Sequence, residues 1–118
     1  MKVSQMLAVL AASGSLALSA LCVMAGSAEA GDAKAGRALT AKCEACHGVD
    51  GVSKIVEAPN LAGQTEPYLI KAMTLYKEGQ RQNDMMSVVA PTLSEEDIAN
   101  LAAYYSSIPV TLGKLPGE

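Results

Sequence analysis

The pattern of apolar and polar positions changes character near residue 30. After Lys2 no charged residue occurs before Glu29, and Met6 to Ala25 is a run of Leu, Ala, Val, Met and small residues that leads to Ala28-Glu29-Ala30. A base, an apolar stretch and a small-x-small site predict a secretory signal peptide over residues 1–30, cleaved after Ala30, and one domain over residues 31–118. A run of about twenty apolar residues is also long enough to span a bilayer. The cleavage signal favours removal, so no membrane span is expected in the mature chain, and Cys22 leaves with the leader.

Beyond the leader the period becomes helical. Asp32 is placed to cap a first helix over Asp32–Cys46, whose positions Gly36, Leu39 and Cys43 share one face. From Gly48 to Gln64 no period survives, and Gly48, Asp50, Gly51, Ser53, Pro59, Asn60 and Gly63 mark a loop. A second helix is predicted over Glu66–Glu78, capped by Thr65, with Pro67 in its first turn and a stripe of Tyr68, Leu69, Ala72, Leu75 and Tyr76. Gly79 ends it. An irregular connection follows, with a short helix near Met86–Ala90. The last helix opens on Ser94 and Asp97 in capping-box spacing, carries Glu95 and Glu96 in its first turn, and repeats Ile98, Leu101, Ala102 and Tyr105. No strand alternation appears, so the predicted class is all-α with three main helices.

Composition narrows the function classes. Removing the leader takes one base and one acid, so the formal charge of −3 is kept. A small acidic chain with no basic patch has no electrostatic means of holding nucleic acid. There is no Phe, no Trp and only four Tyr. So small a domain with an Ala-rich core needs a staple such as a disulfide, a metal or a cofactor.

The candidate staple is Cys43-Glu44-Ala45-Cys46-His47. The C-x-x-C-H pattern is the attachment signature of a c-type haem. Two thiols three residues apart reach the two vinyl groups of one porphyrin, and the adjacent imidazole falls over the iron. A disulfide or redox pair has the same spacing but gives His47 no purpose, and the βαβ context of a thioredoxin-like motif is absent. Zinc needs four ligands, and the mature chain offers only these two Cys and one His. With His47 the sole histidine, bis-histidine ligation and distal-histidine catalysis are both excluded. The second position on the iron is then open, or filled by Met, Lys, Tyr or a terminus, and the mature methionines are three. Met73 lies in the second helix beside its apolar stripe and reads as packing. Met85 and Met86 lie in the irregular connection, with slack to reach the far face of a ring.

Over nearly all of residues 31–107 the chain resembles the class I cytochromes c, above all short bacterial periplasmic carriers and single domains of the di-haem periplasmic cytochromes. The resemblance rests on the C-x-x-C-H motif, Gly48, Ala58-Pro59-Asn60-Leu61-Ala62-Gly63-Gln64, the Tyr-led middle helix, the Met segment and the final Leu-Ser-x-x-Asp-Ile helix. It implies a small cytochrome c fold wrapped around one covalent haem c, with Cys43 and Cys46 as thioethers. It further implies that the Pro59 carbonyl holds the imidazole of His47, and that Met86 is the second axial ligand, with Met85 in reserve. The last helix would cross the first with Leu101 and Tyr104 against Gly36 and Leu39, Tyr104 being the buried aromatic. Leu39 stands where many relatives carry Phe, which implies a slimmer pocket wall. The implied function is one-electron transfer in the periplasm between a redox protein donor and acceptor met transiently, not an enzymatic activity. Two other roles fit the same residues: the cytochrome subunit of a larger dehydrogenase, and a five-coordinate haem enzyme or gas sensor.

Overall fold

The computed structural model describes residues 30–118; the predicted signal peptide and its predicted cleavage site lie almost wholly outside them. Five α-helices and two 3-10 turns make up the regular structure, and no strand occurs among the described residues, so the fold is all-α. The helices are α1 (Ala33–Ala38), α2 (Glu44–His47), α3 (Glu66–Lys77), α4 (Met86–Val89) and α5 (Glu95–Ser107).

The predicted first helix is broken into pieces. The Asp32 carboxylate accepts from the N–H groups of Lys34 and Ala35 at 2.7 and 3.3 Å, which starts α1 as the sequence indicates. The break comes at Thr40, whose hydroxyl donates to the Arg37 carbonyl at 3.1 Å. That carbonyl would otherwise serve the next turn of an α-helix, and a β-branched Ser/Thr-type side chain competing for it favours a tighter turn. A 3-10 turn over Thr40–Lys42 follows, and the chain re-enters α geometry only at Glu44.

α3 begins and ends within a residue of its predicted bounds, but Thr65 makes no side-chain cap. A cap at Thr65 would accept from the second or third residue of the helix. The second is Pro67, which has no N–H to give. Glu66 instead accepts from the Gly31 N–H at 3.3 Å, joining the start of α3 to the segment before α1. α5 opens as predicted: Asp97 N–H donates to Ser94 Oγ at 3.0 Å, and Ser94 N–H donates back to Asp97 Oδ2 at 2.9 Å.

α5 is the central element, packed by α1 on one side and α3 on the other. Its crossing with α1 is close because Gly36 has no side chain. A Cβ there would collide with the Asn100 carbonyl oxygen and come within 2.9 Å of Tyr104 Cβ. The contact partner at Gly36 is therefore Asn100 together with Tyr104, while Leu101 belongs to the core cluster against which Leu39 packs. Asn100 adds a hydrogen bond from Asp32 N–H to its Oδ1 at 2.7 Å. The buried aromatic is Tyr105, only 2% exposed. Tyr104 is half-buried, its ring 5.1 Å from that of Tyr105 in an edge-on arrangement.

Gly36→Ala is expected to destabilise the holoprotein by about 1–3 kcal/mol or more through this overpacking. That is roughly 4–8 °C of Tm for each kcal/mol in a domain of this size, and an unchanged melting curve would refute the close crossing. The Asp97 carboxyl titrates below the ordinary carboxylate range because the Ser94 N–H and hydroxyl bond to it. Its folded-state value is depressed, so its contribution is present above the unfolded carboxylate value of about 3.9 and is lost as pH falls through the lower folded value. Asp97→Asn should lower Tm near neutral pH and flatten its fall in acid; parallel acid profiles for the two proteins would refute the capping box.

Candidate functional site

His47 ends α2 and is only 7% exposed. Its Nδ1 lies 2.8 Å from the Pro59 carbonyl oxygen. A carbonyl only accepts, so Nδ1 carries the proton and the Nε2 lone pair is left free as a donor to a metal. The loop that brings Pro59 to His47 was featureless as a periodic pattern, yet it is closely tied. Leu61 and Ala62 both donate to the Gly51 carbonyl at 2.8 and 3.1 Å, Lys54 N–H donates to the Cys46 carbonyl at 2.8 Å, and Ser53 N–H donates to Asn60 Oδ1 at 2.7 Å. Gly51, at φ +71°, is backed against Ala62 so closely that a Cβ would lie 2.6 Å from its nitrogen. The left-handed φ and the close approach both require glycine.

α5 holds this loop from behind. Tyr104 OH donates to the Val49 carbonyl at 2.7 Å and Tyr105 OH to the Gly48 carbonyl at 3.2 Å. Gly63 N–H donates to the Tyr105 carbonyl at 3.1 Å. Burial pushes the Tyr105 phenol far above its ordinary value, so it remains a proton donor at any physiological pH. The two adjacent tyrosines thus fix the two residues that follow His47.

These elements enclose a cavity of about 490 Å3, within the range of small-molecule and cofactor sites. Cys43, Cys46, His47, Pro59, Met85 and Met86 all line it, so every site residue expected from the sequence meets the same space. Met73 lines it too while packing on the core, in keeping with its reading as packing. Neither cysteine is in a disulfide. Burial, reinforced by the neighbouring carboxylate of Glu44, raises the Cys43 thiol above its ordinary value.

The two adjacent methionines differ in setting. Met85 is 60% exposed, whereas Met86 is partly buried. Asn83, which the sequence patterning did not single out, orders both. Its Oδ1 accepts from the N–H groups of Met85 and Met86, each at 3.0 Å, and its own N–H donates to Ser87 Oγ at 2.9 Å. This is a helix start built three residues before Met86, the first residue of α4, and an Asn followed four residues on by Ser is the local signal for it.

The lining also fits a porphyrin by its chemistry. Five of the six residues of the buried cluster, Leu69, Ile98, Leu101, Ala102 and Tyr105, face the cavity as well as each other. The walls are apolar, two thiols and an imidazole sit at one side, and no buried side-chain nitrogen or oxygen among the described residues lacks a partner. Such a space accepts a large flat apolar ring whose bonds to the protein are made at its edge and its centre.

Comparison with known proteins agrees with this chemistry. The chain is 46% identical over 84 residues to cytochrome c4 of Pseudomonas aeruginosa, a match that covers 71% of this chain and 42% of that protein. It is 47% identical over 81 residues to cytochrome c-554(548) of Halomonas halodenitrificans, covering 66% of this chain and 98% of the relative. The crystal structure of reduced recombinant cytochrome c4 from Pseudomonas stutzeri superposes with a TM-score of 0.65 at 41% identity, over 71% of this chain and 49% of that one. The chain therefore spans less than half the length of the P. aeruginosa cytochrome c4 and nearly the whole of the shorter relative. The cytochrome c family model matches residues 33–109, and the chain belongs to the cytochrome c family, with covalently bound haem c as its prosthetic group.

Proposed function

We propose that the chain is a periplasmic one-electron carrier whose haem c is attached through Cys43 and Cys46 and ligated by His47 and Met86. The observation that carries the reading is the convergence of these four residues on one apolar cavity, with the His47 tautomer fixed by Pro59. The haem supplies an iron that gains or loses one electron. The chain does the rest. The thiols tether the ring, and the Pro59 carbonyl orients the imidazole and raises its donor strength. The thioether of Met86 is a soft donor that favours the reduced state, which sets His/Met sites at higher potential than bis-histidine ones. Partial burial favours Met86 over its exposed neighbour Met85 as that donor.

If His47 and Met86 both hold the iron, no site would be left there for a substrate, which would favour a carrier over a five-coordinate enzyme or sensor. Donor and acceptor are then redox proteins met through a small, short-lived interface. Among the described residues no helix is long and apolar enough to cross a membrane. Export in the manner of the signal-bearing leader accounts for the periplasmic setting in which haem c carriers with free exchange of partners operate.

Met86→Ala is expected to open the iron to carbon monoxide and lower the midpoint potential, while Met85→Ala leaves the low-spin spectrum and its far-red sulfur-to-iron band intact. The reverse outcome would move the ligand to Met85, and a wild-type spectrum that is high-spin and binds carbon monoxide would overturn the carrier reading. Asn83→Ala should weaken the Met86 bond without removing it, seen as partial carbon monoxide binding and a loss of about 1 kcal/mol of stability, the usual worth of a cap. The double variant Cys43→Ala with Cys46→Ala should secrete a chain with no covalent haem. Because the core faces the cofactor cavity, that chain should also show far fewer fixed tertiary contacts, read by near-ultraviolet circular dichroism. Normal covalent haem in the double variant would refute the tether.

A further inference from the structure

Haem c brings two carboxylates as well as an iron. Its thioether carbons sit on two adjacent pyrroles and its propionates on the other two, so a ring tethered at Cys43 and Cys46 turns its acidic edge away from them. Carboxylates drawn even partly out of water need a cationic or hydrogen-bonding partner. The exposed rim of the cavity carries two cations, Lys42 and Arg81, and two carboxylates, Glu57 and Asp84. Lys42 adjoins the tethering Cys43, and its ammonium donates to Thr92 Oγ1 at 3.3 Å.

Arg81 differs on each count. It follows the end of α3, where Gly79 takes φ +73° and the N–H groups of Gln80 and Arg81 both donate to the Leu75 carbonyl at 2.9 Å. This turn folds the chain back over the last turn of α3. The Arg81 guanidinium then stands over the Tyr76 ring, 4.7 Å from its centroid, and both residues line the cavity. No carboxylate pairs with it: the one ion pair among the described residues is Lys54–Asp50, far along the chain in the loop. A planar guanidinium fork held over an aromatic face, at the rim of an apolar cavity and without an acid, is suited to bidentate carboxylate recognition.

We propose that Arg81, held in place by Tyr76, is the residue that binds a haem propionate in this chain and thereby raises the reduction potential. The inference rests on the tether at Cys43 and Cys46 proposed above. Neutralising a propionate removes a negative charge that would otherwise stabilise the ferric over the ferrous state, so the paired carboxylate shifts the couple toward reduction. Arg81 touches the cofactor; Tyr76 acts through Arg81 and is a positioning residue.

The test uses the holoprotein and its Arg81→Gln, Arg81→Lys, Tyr76→Leu and Lys42→Gln variants. Midpoint potential is measured from about pH 5 to 9, and the propionate vibrations are followed by resonance Raman spectroscopy. Arg81→Gln should lower the potential, raise the pH at which the potential begins to vary with proton uptake, and shift the propionate bands. Arg81→Lys should restore part of each, and Tyr76→Leu should fall between wild type and Arg81→Gln. Lys42→Gln should leave the propionate bands in place, and the other titratable rim groups, Glu57, Asp84 and Tyr68, are unchanged throughout. If Arg81→Gln moves neither the potential nor the bands, or if Lys42→Gln moves the bands and Arg81→Gln does not, the inference is overturned. The pyridine haemochrome spectrum of the wild type separates this from failure of the tether. A spectrum without thioether character sinks both readings, while a normal one with unmoved bands sinks only the role of Arg81.

Discussion

The constraint on which the rest of this structure depends is that its hydrophobic core and its cofactor cavity share one surface. Leu69, Ile98, Leu101, Ala102 and Tyr105 bury their flanks against one another and turn their remaining atoms toward the same space. Complete burial of a large apolar side chain is worth about 1.5–3 kcal/mol, and a cluster of six with one alanine among them is small against the entropy of ordering the chain. An apolar space of this size with nothing in it forfeits the dispersion contacts of every residue that lines it. The haem is thus the largest single piece of the core, and the lack of Phe and Trp in the sequence becomes intelligible: the aromatic mass that would fill the interior comes from the porphyrin.

Given that core, the remaining structure is concerned with holding His47 and the methionine segment against the one cavity. The path to His47 starts at the α1–α5 crossing. Gly36 lets α1 lie on the backbone of α5, Asn100 bonds to the residue that caps α1, and the next turn of α5 presents Tyr104 and Tyr105 to the carbonyls of Val49 and Gly48. One helix therefore locates both the segment leading into the C-x-x-C-H motif and the segment leaving it. On the path to the methionine segment, α3 carries Leu69 into the core and ends in a glycine turn. A short connection starts there, closed by Asn83 and by the bond from the Lys77 ammonium to the Leu93 carbonyl. Rigid supports for both segments suit a centre that exchanges electrons with little rearrangement.

Much of this was legible in the sequence, because helices and attachment chemistry are written locally. The Ser94–Asp97 cap, the bounds of α3, the short helix at Met86 and the C-x-x-C-H motif each depend on residues within a few positions of one another. What could not be read depends on contacts between distant segments or on competition for a single group. Thr40 takes a carbonyl from the helix ladder and splits the first helix, although its apolar spacing still looks continuous. Pro67 deprives Thr65 of a donor to cap. The assignment of buried aromatic to Tyr104 failed for a different reason: adjacent tyrosines on a helix point about 100° apart, and only the direction of approach of α1 and α3 decides which one faces inward. Asn83 and Arg81 lie in a connection without a period, where local signals such as Gly79 and an Asn–Ser pair mark turns but do not say what the turns aim.

The electrostatics follow from the same division. The interior is apolar, and among the described residues its polar atoms are all partnered. Charge is kept to the rim, which carries Lys42 and Arg81 together with Glu57 and Asp84. A cavity arranged in this way imposes little field of its own on a bound ring from within. On the proposed ligation, the potential of the iron would be tuned by two things: the side chains that reach it, and the rim charges, which would act through the carboxylates the cofactor itself brings. The first is a matter of packing and the second of surface placement. Changes at the rim could therefore retune the couple in this chain while leaving the shared core and cavity, on which folding depends, untouched.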